Sequence, residues 1–218
     1  TILITSIVIG ICLIIRRHYD AAQRQLDIVD NRYSVKMDWD DLAPSPPLDP
    51  ARPTAIFLVG SSRGAGMYML NWVLKMMPGQ FSNYIFVSVG EVDKQYFDGE
   101  RTIQSLQTRI ENSLNYFTSY CISKGLPSAH YMAFGAEPLD ELTQLSRKVV
   151  RDYPKGVFFA SKLVFQKDNL FNRILHNQMP IAMQRKLHLE GQQMIVVPIS
   201  VPELDAVKPA SGPRYPIT

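Results

Sequence analysis

Apolar and polar residues follow one another along this chain in a regular way, and the pattern predicts two kinds of secondary structure. Five short runs consist almost entirely of β-branched, aliphatic and aromatic residues, which is typical of strands buried on both faces of a sheet. These runs occupy residues 54–59, 83–90, 129–135, 156–161 with an extension through 162–165, and 193–201. We therefore predict five buried β-strands.

The stretches between these runs have helical patterns. Apolar residues recur there every three or four positions, as on one face of an α-helix, or cover nearly the whole helix. The predicted helices span residues 67–77, 101–125, 138–154 and 169–191. Gly125 and Gly191 are expected to cap the second and fourth helices, and Pro180 is expected to kink the fourth.

Strands and helices therefore alternate along residues 54–202 and are joined by short links. Parallel strands need crossover connections, and a helix is the usual crossover. The pattern predicts an α/β fold in which a five-stranded parallel, doubly wound sheet is covered by helices on both faces.

The first fifteen residues have a different pattern. Residues 1–15 carry no charge and are mostly Ile, Leu or Val, and they are followed at once by Arg16, Arg17 and His18. As a helix they would be about 22 Å long, less than the ~30 Å hydrocarbon core of a bilayer. A signal peptide has its positive charge before the apolar run, and a buried helix is rarely apolar on all sides. We expect the last part of a membrane helix whose end faces the cytosol, in a chain that is a fragment because it begins at Thr1 rather than Met.

Two connecting segments follow the apolar run. Residues 19–36 favour a juxtamembrane helix with a loose apolar face, and residues 37–53 contain five prolines and four aspartates, which favour an extended tether. Trp39 either docks on a neighbouring surface or stays unattached. The predicted organisation is listed in chain order: the end of a membrane helix (1–18), a juxtamembrane helix and tether (19–53), a cytosolic α/β domain (54–202) and a tail (203–218).

Composition narrows the functional classes only a little. The hydrophobic fraction is 46%, which is ordinary for a globular protein, and 23 basic residues face 20 acidic ones for a net charge of +3. That balance is too even to indicate nucleic-acid binding. Two cysteines, Cys12 and Cys121, form neither a disulfide framework nor a metal-binding spacing, so the chain suits a reducing compartment.

One motif has the right position for a ligand site. The turn GSSRGAG (60–66) follows the first strand and precedes a helix, where open α/β sheets bind nucleotides. Its glycines are spaced G-x-x-x-G-x-G, which matches neither the dinucleotide fingerprint nor the P-loop. The turn either binds an anion or is simply a tight turn that needs glycine. The candidate residues are Gly60, Ser61, Ser62, Arg63, Gly64 and Gly66, with Lys162 added from the end of the fourth strand.

Other candidate residues have competing explanations. Lys162 and Lys167 either form an anion site at the carboxyl edge of the sheet or belong to an ordinary basic loop. Glu91 and Asp93 are either a carboxylate pair or part of a solvated loop. The histidines are too far apart in sequence to indicate one metal site, and no serine has an evident His-Asp pair; these histidines are His130, His176 and His188.

The combination of these parts resembles a known family. An apolar span ending in RRHYD, a tether and the stretches TAIFLVGSSRGAG, NYIFVSVGEVD, VFFASKLVFQ and LHNQMPIAMQRKLH together resemble the C-terminal cytosolic domain of bacterial transporters of the amino acid-polyamine-organocation superfamily. The resemblance covers nearly the whole chain. It implies a domain that looks like a universal stress protein, with strand order 3-2-1-4-5, attached to an amino acid permease in the inner (plasma) membrane.

The resemblance also implies a role and its limits. We expect a non-enzymatic regulatory domain that forms a homodimer and contacts the transporter's membrane part, with residues 16–218 in the cytoplasm and no cofactor. The dimer surface is expected on the fifth strand's edge or on helix 169–191. ATP-binding universal stress proteins carry a glycine motif after the fourth strand, and the corresponding segment here, 161–177, has no glycine. ATP binding is therefore not implied, and the alternative is a nucleotide- or anion-sensing domain that acts through Gly60–Gly66.

Overall fold

A computed structural model describes residues 2–35, 44–92, 100–165 and 178–201 of the chain. Five strands and five helices lie among these residues. The strands are β1 (Thr54–Leu58), β2 (Asn83–Glu91), β3 (Ser128–Gly135), β4 (Gly156–Phe165) and β5 (Gln193–Val201). The helices are α1 (Ile2–Tyr33), α2 (Arg63–Met76), α3 (Glu100–Ser123), α4 (Pro138–Asp152) and α5 (Gln178–Leu189).

All five strands form one parallel sheet in the order β3-β2-β1-β4-β5. This confirms the predicted α/β fold, its strand order and the extension of the fourth strand through residue 165. In the centre of the sheet, Ile56 of β1 lies between Ile85 of β2 and Phe158 of β4. The strand order therefore reverses at β1, with β2 and β3 on one side of it and β4 and β5 on the other. In such sheets a crevice opens at the carboxyl edge where the order reverses.

The hydrophobic core has two layers because successive strand residues point to opposite faces. On one face, Phe57, Phe86 and Phe159 are fully buried and packed with α2 and α3, and Phe57 stacks on Phe86 at 5.2 Å between ring centroids. On the other face, Ile56 and Phe158 pack with α4 and α5. Burying side chains of this kind is worth about 1.5–3 kcal/mol each, so the two layers supply most of the sheet's stability.

Two helix ends confirm the predicted caps, and one helix start differs from the prediction. Gly125 and Gly191 adopt φ values of 70° and 76°, which suit glycine after a helix. α2 begins at Arg63 rather than at residue 67, because the Ser62 side chain accepts a hydrogen bond from the Ala65 N–H and caps the helix there. The helix predicted over 169–191 is described from Gln178 to Leu189 as α5, and because residues 169–177 lie outside the described residues, its start and the kink at Pro180 stay predictions.

The polypeptide before β1 is more closely attached to the sheet than a tether would be. Asn83, which is buried, accepts a hydrogen bond from the Asp49 N–H at 3.0 Å and donates to the Asp49 carbonyl oxygen at 2.7 Å and to Thr54 at 2.9 Å. These bonds fix the last residues of the proline-rich segment to the amino edge of the sheet. Residues 37–43 of that segment, including Trp39, lie outside the described residues.

α1 is a single 32-residue helix with two different surroundings. Its apolar half is exposed, with Ile4 at 67% and Leu13 at 56% of full exposure. Its second half packs on α2, and Val29 is buried there with Ala65 and Ile199. The predicted juxtamembrane helix is thus part of the folded unit. None of the helices in the described residues has an apolar stretch long enough to cross a membrane.

Candidate functional site

A cavity of about 510 Å³ opens at the carboxyl edge of the sheet, where β1, β2 and β4 end. The amino-terminal parts of α2 and α4 and the described part of α5 surround it, and α1 closes one side with Gln23 and Leu26. Its position is that of the ligand-binding crevice in doubly wound sheets. A cavity of this size is in the range that holds a small organic molecule.

The lining of this cavity is mainly apolar. Strand residues such as Leu58 and Val87 and helix residues such as Leu142 and Met183 form most of its wall. Within the described part of the chain, its polar members are four serines and one glutamine: Ser61, Ser62, Ser88, Ser161 and Gln23. No charged side chain is among the described residues that line it. The cavity can therefore hold an apolar body and offer it a few neutral hydrogen-bonding groups.

The amino terminus of α2, next to this cavity, already holds a carboxylate. Asp30 of α1 accepts hydrogen bonds from the Gly64 N–H at 2.7 Å and from the Ser62 hydroxyl. The Ala65 N–H donates to Ser62 Oγ at 3.1 Å, and the Gly66 N–H donates to the Ser62 carbonyl oxygen. Three of the first N–H groups of the helix are thus satisfied within the chain, so an external anion would have to displace Asp30 to reach them.

The three glycines of the turn differ in whether the structure has room for a side chain at their positions. A Cβ on Gly64 would lie 2.5 Å from Asp30 Cα and still closer to the Val29 carbonyl oxygen, so this glycine lets α1 approach α2. A Cβ on Gly66 would overlap the ring of Phe117 in α3. Gly60 has free space at the Cβ position. Two of the three glycines therefore serve helix packing rather than the turn.

Arg63, the cation predicted for an anion site, faces away from the cavity. Its guanidinium lies over the ring of Tyr116 in α3, 5.0 Å from the centroid. The Tyr116 hydroxyl accepts a hydrogen bond from the Val35 N–H at 2.6 Å and donates to the Val35 carbonyl oxygen at 3.0 Å. Burial raises the pKa of Tyr116, which keeps the phenol neutral, so that its hydroxyl can both donate and accept a hydrogen bond. This second contact holds the chain just after α1.

Lys162 does not line the cavity either. It lies inside β4, opposite Pro198 of β5, and not in a loop after the strand, because the strand continues to Phe165. Its neighbour Ser161 does line the cavity. Lys167 lies outside the described residues. Of the predicted site residues, the structure brings together Gly60, Ser61, Ser62 and Gly66 at the cavity, while it directs Arg63, Gly64 and Lys162 elsewhere.

The remaining candidates show no common site. Glu91 ends β2 opposite Gly135, and Asp93 and His176 lie outside the described residues. His130 lies in β3, where burial lowers its pKa against the opposing effect of Glu111. His188 is exposed on α5. In the part of the chain that the structure describes, no three His, Cys, Asp or Glu side chains come together to hold a metal.

The cysteines give no evidence of nucleophilic chemistry. Cys121 is buried in α3, and this burial raises the pKa of its thiol far above the ordinary value. A thiol in that state is neutral at physiological pH and acts as a small apolar side chain. Cys12 is exposed on the apolar half of α1.

Sequence reasoning missed the contribution of α1 to the site. Gln23, Leu26 and Asp30 are in a segment predicted to connect rather than to pack. One available signal was Gly64, since glycine is used where another part of the backbone approaches closely. The sequence does not say which element approaches.

Comparison with known proteins adds no family to this description. No protein-family model matches the chain, and no curated protein matches it.

Proposed function

We propose that this chain is a non-enzymatic cytosolic regulatory domain of a secondary transporter of the amino acid-polyamine-organocation type, joined to the transporter's membrane part through α1. The observation that carries the proposal is the continuity of α1, which runs without a break from an exposed apolar segment to the turn beside the cavity. One end of such a helix would lie in the membrane part, and the other end lies on a ligand-sized cavity. A continuous helix is suited to transmit a movement from one of these places to the other.

The exposed half of α1 supports membrane attachment. Ile7, Val8, Ile9 and Ile11 are each more than half exposed, and at 100° per residue these positions cover more than one face of the helix. A helix that docks on one protein surface needs only one apolar face. A helix that is apolar on several faces suits surroundings of lipid or of other helices on all sides. Exposed apolar surface of this extent marks an interaction site, and the arginines that follow it fit the cytosolic boundary.

The docked half of α1 supports a regulatory role. Val29 is buried under the turn, and Asp30 holds the Ser62 hydroxyl and the Gly64 N–H. Because Ser62 also lines the cavity, a movement of α1 along or about its axis changes the cavity directly. The same contact speaks against the nucleotide- or anion-sensing alternative at Gly60–Gly66, since Asp30 places a negative charge where a phosphate would bind.

Membrane attachment is tested by flotation of the full chain with vesicles of phosphatidylethanolamine and phosphatidylglycerol. We expect the wild-type chain to float with the vesicles and the double variant Ile7→Asp, Ile11→Asp to remain below, since each aspartate costs about 2.5–3.5 kcal/mol in a membrane helix. The matched control is Ile181→Asp, Leu189→Asp, which changes exposed apolar residues of α5 and should still float. A folded wild-type chain that does not float would contradict the proposal.

Attachment to a transporter is tested separately in the gene that encodes the chain. The proposal expects the reading frame upstream of the Thr1 codon to continue through several further apolar segments of about 20 residues, as a multi-span transporter requires. A start codon and no such segments upstream would overturn the transporter assignment and leave only an anchored domain.

A further inference from the structure

We infer that the cavity at the carboxyl edge binds a small, uncharged, mainly apolar molecule with one or two hydrogen-bonding groups, and that this ligand stabilises the docked position of α1. The inference names a ligand class for the proposed regulatory domain, and its regulatory meaning rests on the proposed function. Binding itself depends only on the cavity.

The wall of the cavity selects for an apolar ligand body. Its volume of about 510 Å³ is bounded mainly by aliphatic side chains from both core layers. Three methionines contribute, Met69, Met179 and Met183, and these flexible side chains adapt to ligands of different outline. The free energy of the system falls when an apolar ligand rather than water covers a surface of this kind.

The charges among the described residues select against an anionic ligand. The described lining provides no cation that would pair with an anion, and Arg63 and Lys162 are both directed elsewhere. The Asp30 carboxylate beside Ser62 repels a negative group. An unpaired charge among apolar side chains loses its hydration without compensation, which is strongly unfavourable.

Neutral hydrogen-bonding groups are nevertheless present on several sides. Ser61 and Ser62 come from the turn after β1, Ser88 from β2 and Ser161 from β4. Ser61, Ser88 and Ser161 can donate or accept, whereas the Ser62 hydroxyl already donates to Asp30 and can only accept from a ligand. Together they match a hydroxyl, amide or ring nitrogen on a neutral ligand. They would fix the orientation of a ligand that the apolar wall holds.

The ligand would contact α1 and the sheet at the same time. Gln23 and Leu26 form part of the wall, and Asp30, about one turn further on, is bonded to the turn. A ligand that touches Leu26 binds more tightly when α1 is docked than when it is displaced. It must therefore shift the population toward the docked state by that difference in affinity.

The test compares matched neutral and anionic probes on the full chain. The pairs are benzyl alcohol and benzoate, and 1-hexanol and hexanoate, added to the Ile7→Asp, Ile11→Asp chain, or to the wild-type chain if flotation shows that it needs no membrane. We expect at least one neutral probe to raise the melting temperature by about 2 °C or more while its anionic partner does not. No rise with any neutral probe, or an equal or larger rise with the anions, overturns the ligand class.

Two variants locate the site. Ser61→Trp introduces a large ring at an exposed lining position and should abolish the shift, whereas Ser45→Trp, at an exposed position away from the cavity, should keep it. If Ser61→Trp does not fold, Met179→Lys replaces it, with Ile181→Lys as its control, since Met179 lines the cavity and Ile181 does not. A shift that survives both cavity variants would place binding elsewhere.

Hydrogen exchange tests the effect on α1. Amides at residues 26–35 should exchange at least severalfold more slowly when the active probe is bound, while amides in α3 change little. Binding with unchanged exchange in α1 would overturn the coupling and leave the ligand class intact. Because these readouts need no membrane, failure here and failure of flotation are separate results.

Discussion

A single carboxylate determines what the glycine turn does. Asp30 satisfies the Gly64 N–H and the Ser62 hydroxyl, and in doing so it occupies the end of α2 that attracts anions. The residue pattern alone left two readings of the turn, an anion site or a tight turn. The structure adds a third, in which the turn receives a side chain from another helix.

Gly64 is the residue at which this docking is most sensitive. Gly64→Ala should displace α1, because its Cβ would meet the backbone of Val29 and Asp30, neither of which can yield like a side chain. We expect a loss of about 1–3 kcal/mol in the free energy of unfolding, measured by urea denaturation. Gly60→Ala is the control, since a Cβ has free space there and should leave stability nearly unchanged. Equal effects of the two changes would contradict the close approach of α1.

At the scale of elements, α1 is the least expected part of the molecule. Its two halves share one continuous helix but have opposite surroundings, exposed and apolar before Arg16 and packed on α2 around Val29. The hydrophobic pattern showed the first half clearly, because fifteen residues without charge are unmistakable. The second half has only a loose apolar face. Its docking depends on a few buried residues such as Val29 and on the hydrogen bonds that Asp30 accepts.

The hydroxyl of Tyr116 closes the other end of this docked half. Tyr116→Phe should remove both hydrogen bonds to Val35 and cost about 1 kcal/mol, with faster amide exchange at residues 30–35. Tyr120→Phe serves as the control on the same helix, because that hydroxyl has only a long contact of 3.4 Å to Asn71. Unchanged exchange at residues 30–35 in Tyr116→Phe would contradict a role of this hydroxyl in holding the end of α1.

At the scale of the whole molecule, the arrangement combines a buried sheet with apolar residues that nothing in the described chain covers. Apart from those of α1, exposed large apolar residues include Ile181 at 50% and Leu189 at 80%, both on α5. α5 is one of the two surfaces expected to form a homodimer, the other being the edge strand β5. The exposure of these two residues favours α5 as the surface to test first.

We expect the Ile7→Asp, Ile11→Asp chain to form a dimer at micromolar concentrations in sedimentation velocity experiments. Adding Ile181→Asp and Leu189→Asp should shift it to a monomer if α5 forms the interface, because two charges would be buried without partners. A dimer that survives these changes would point to the edge of β5. A monomer at all micromolar concentrations, before the α5 changes, would count against the dimer-forming role.

The sequence by itself determined the local structure. Apolar runs marked five strands, glycines after apolar helices marked two helix ends, and alternation of strands and helices marked a parallel sheet, because each of these depends on residues close together in the chain. The strand order followed from the resemblance rather than from the pattern. Helix starts were less accurate, as at α2, because a capping serine can begin a helix before its apolar face begins.

Only the tertiary structure decided the composition of the site. Asp30 and Ser62 are 32 positions apart, and Tyr116 and Val35 are 81 apart. A lone carboxylate or hydroxyl has no periodicity, so the sequence cannot show which distant group it will meet. Among the described residues, the cavity likewise takes members from three strands and four helices. Their uncharged side chains meet there because of how these elements pack around the carboxyl ends of the strands.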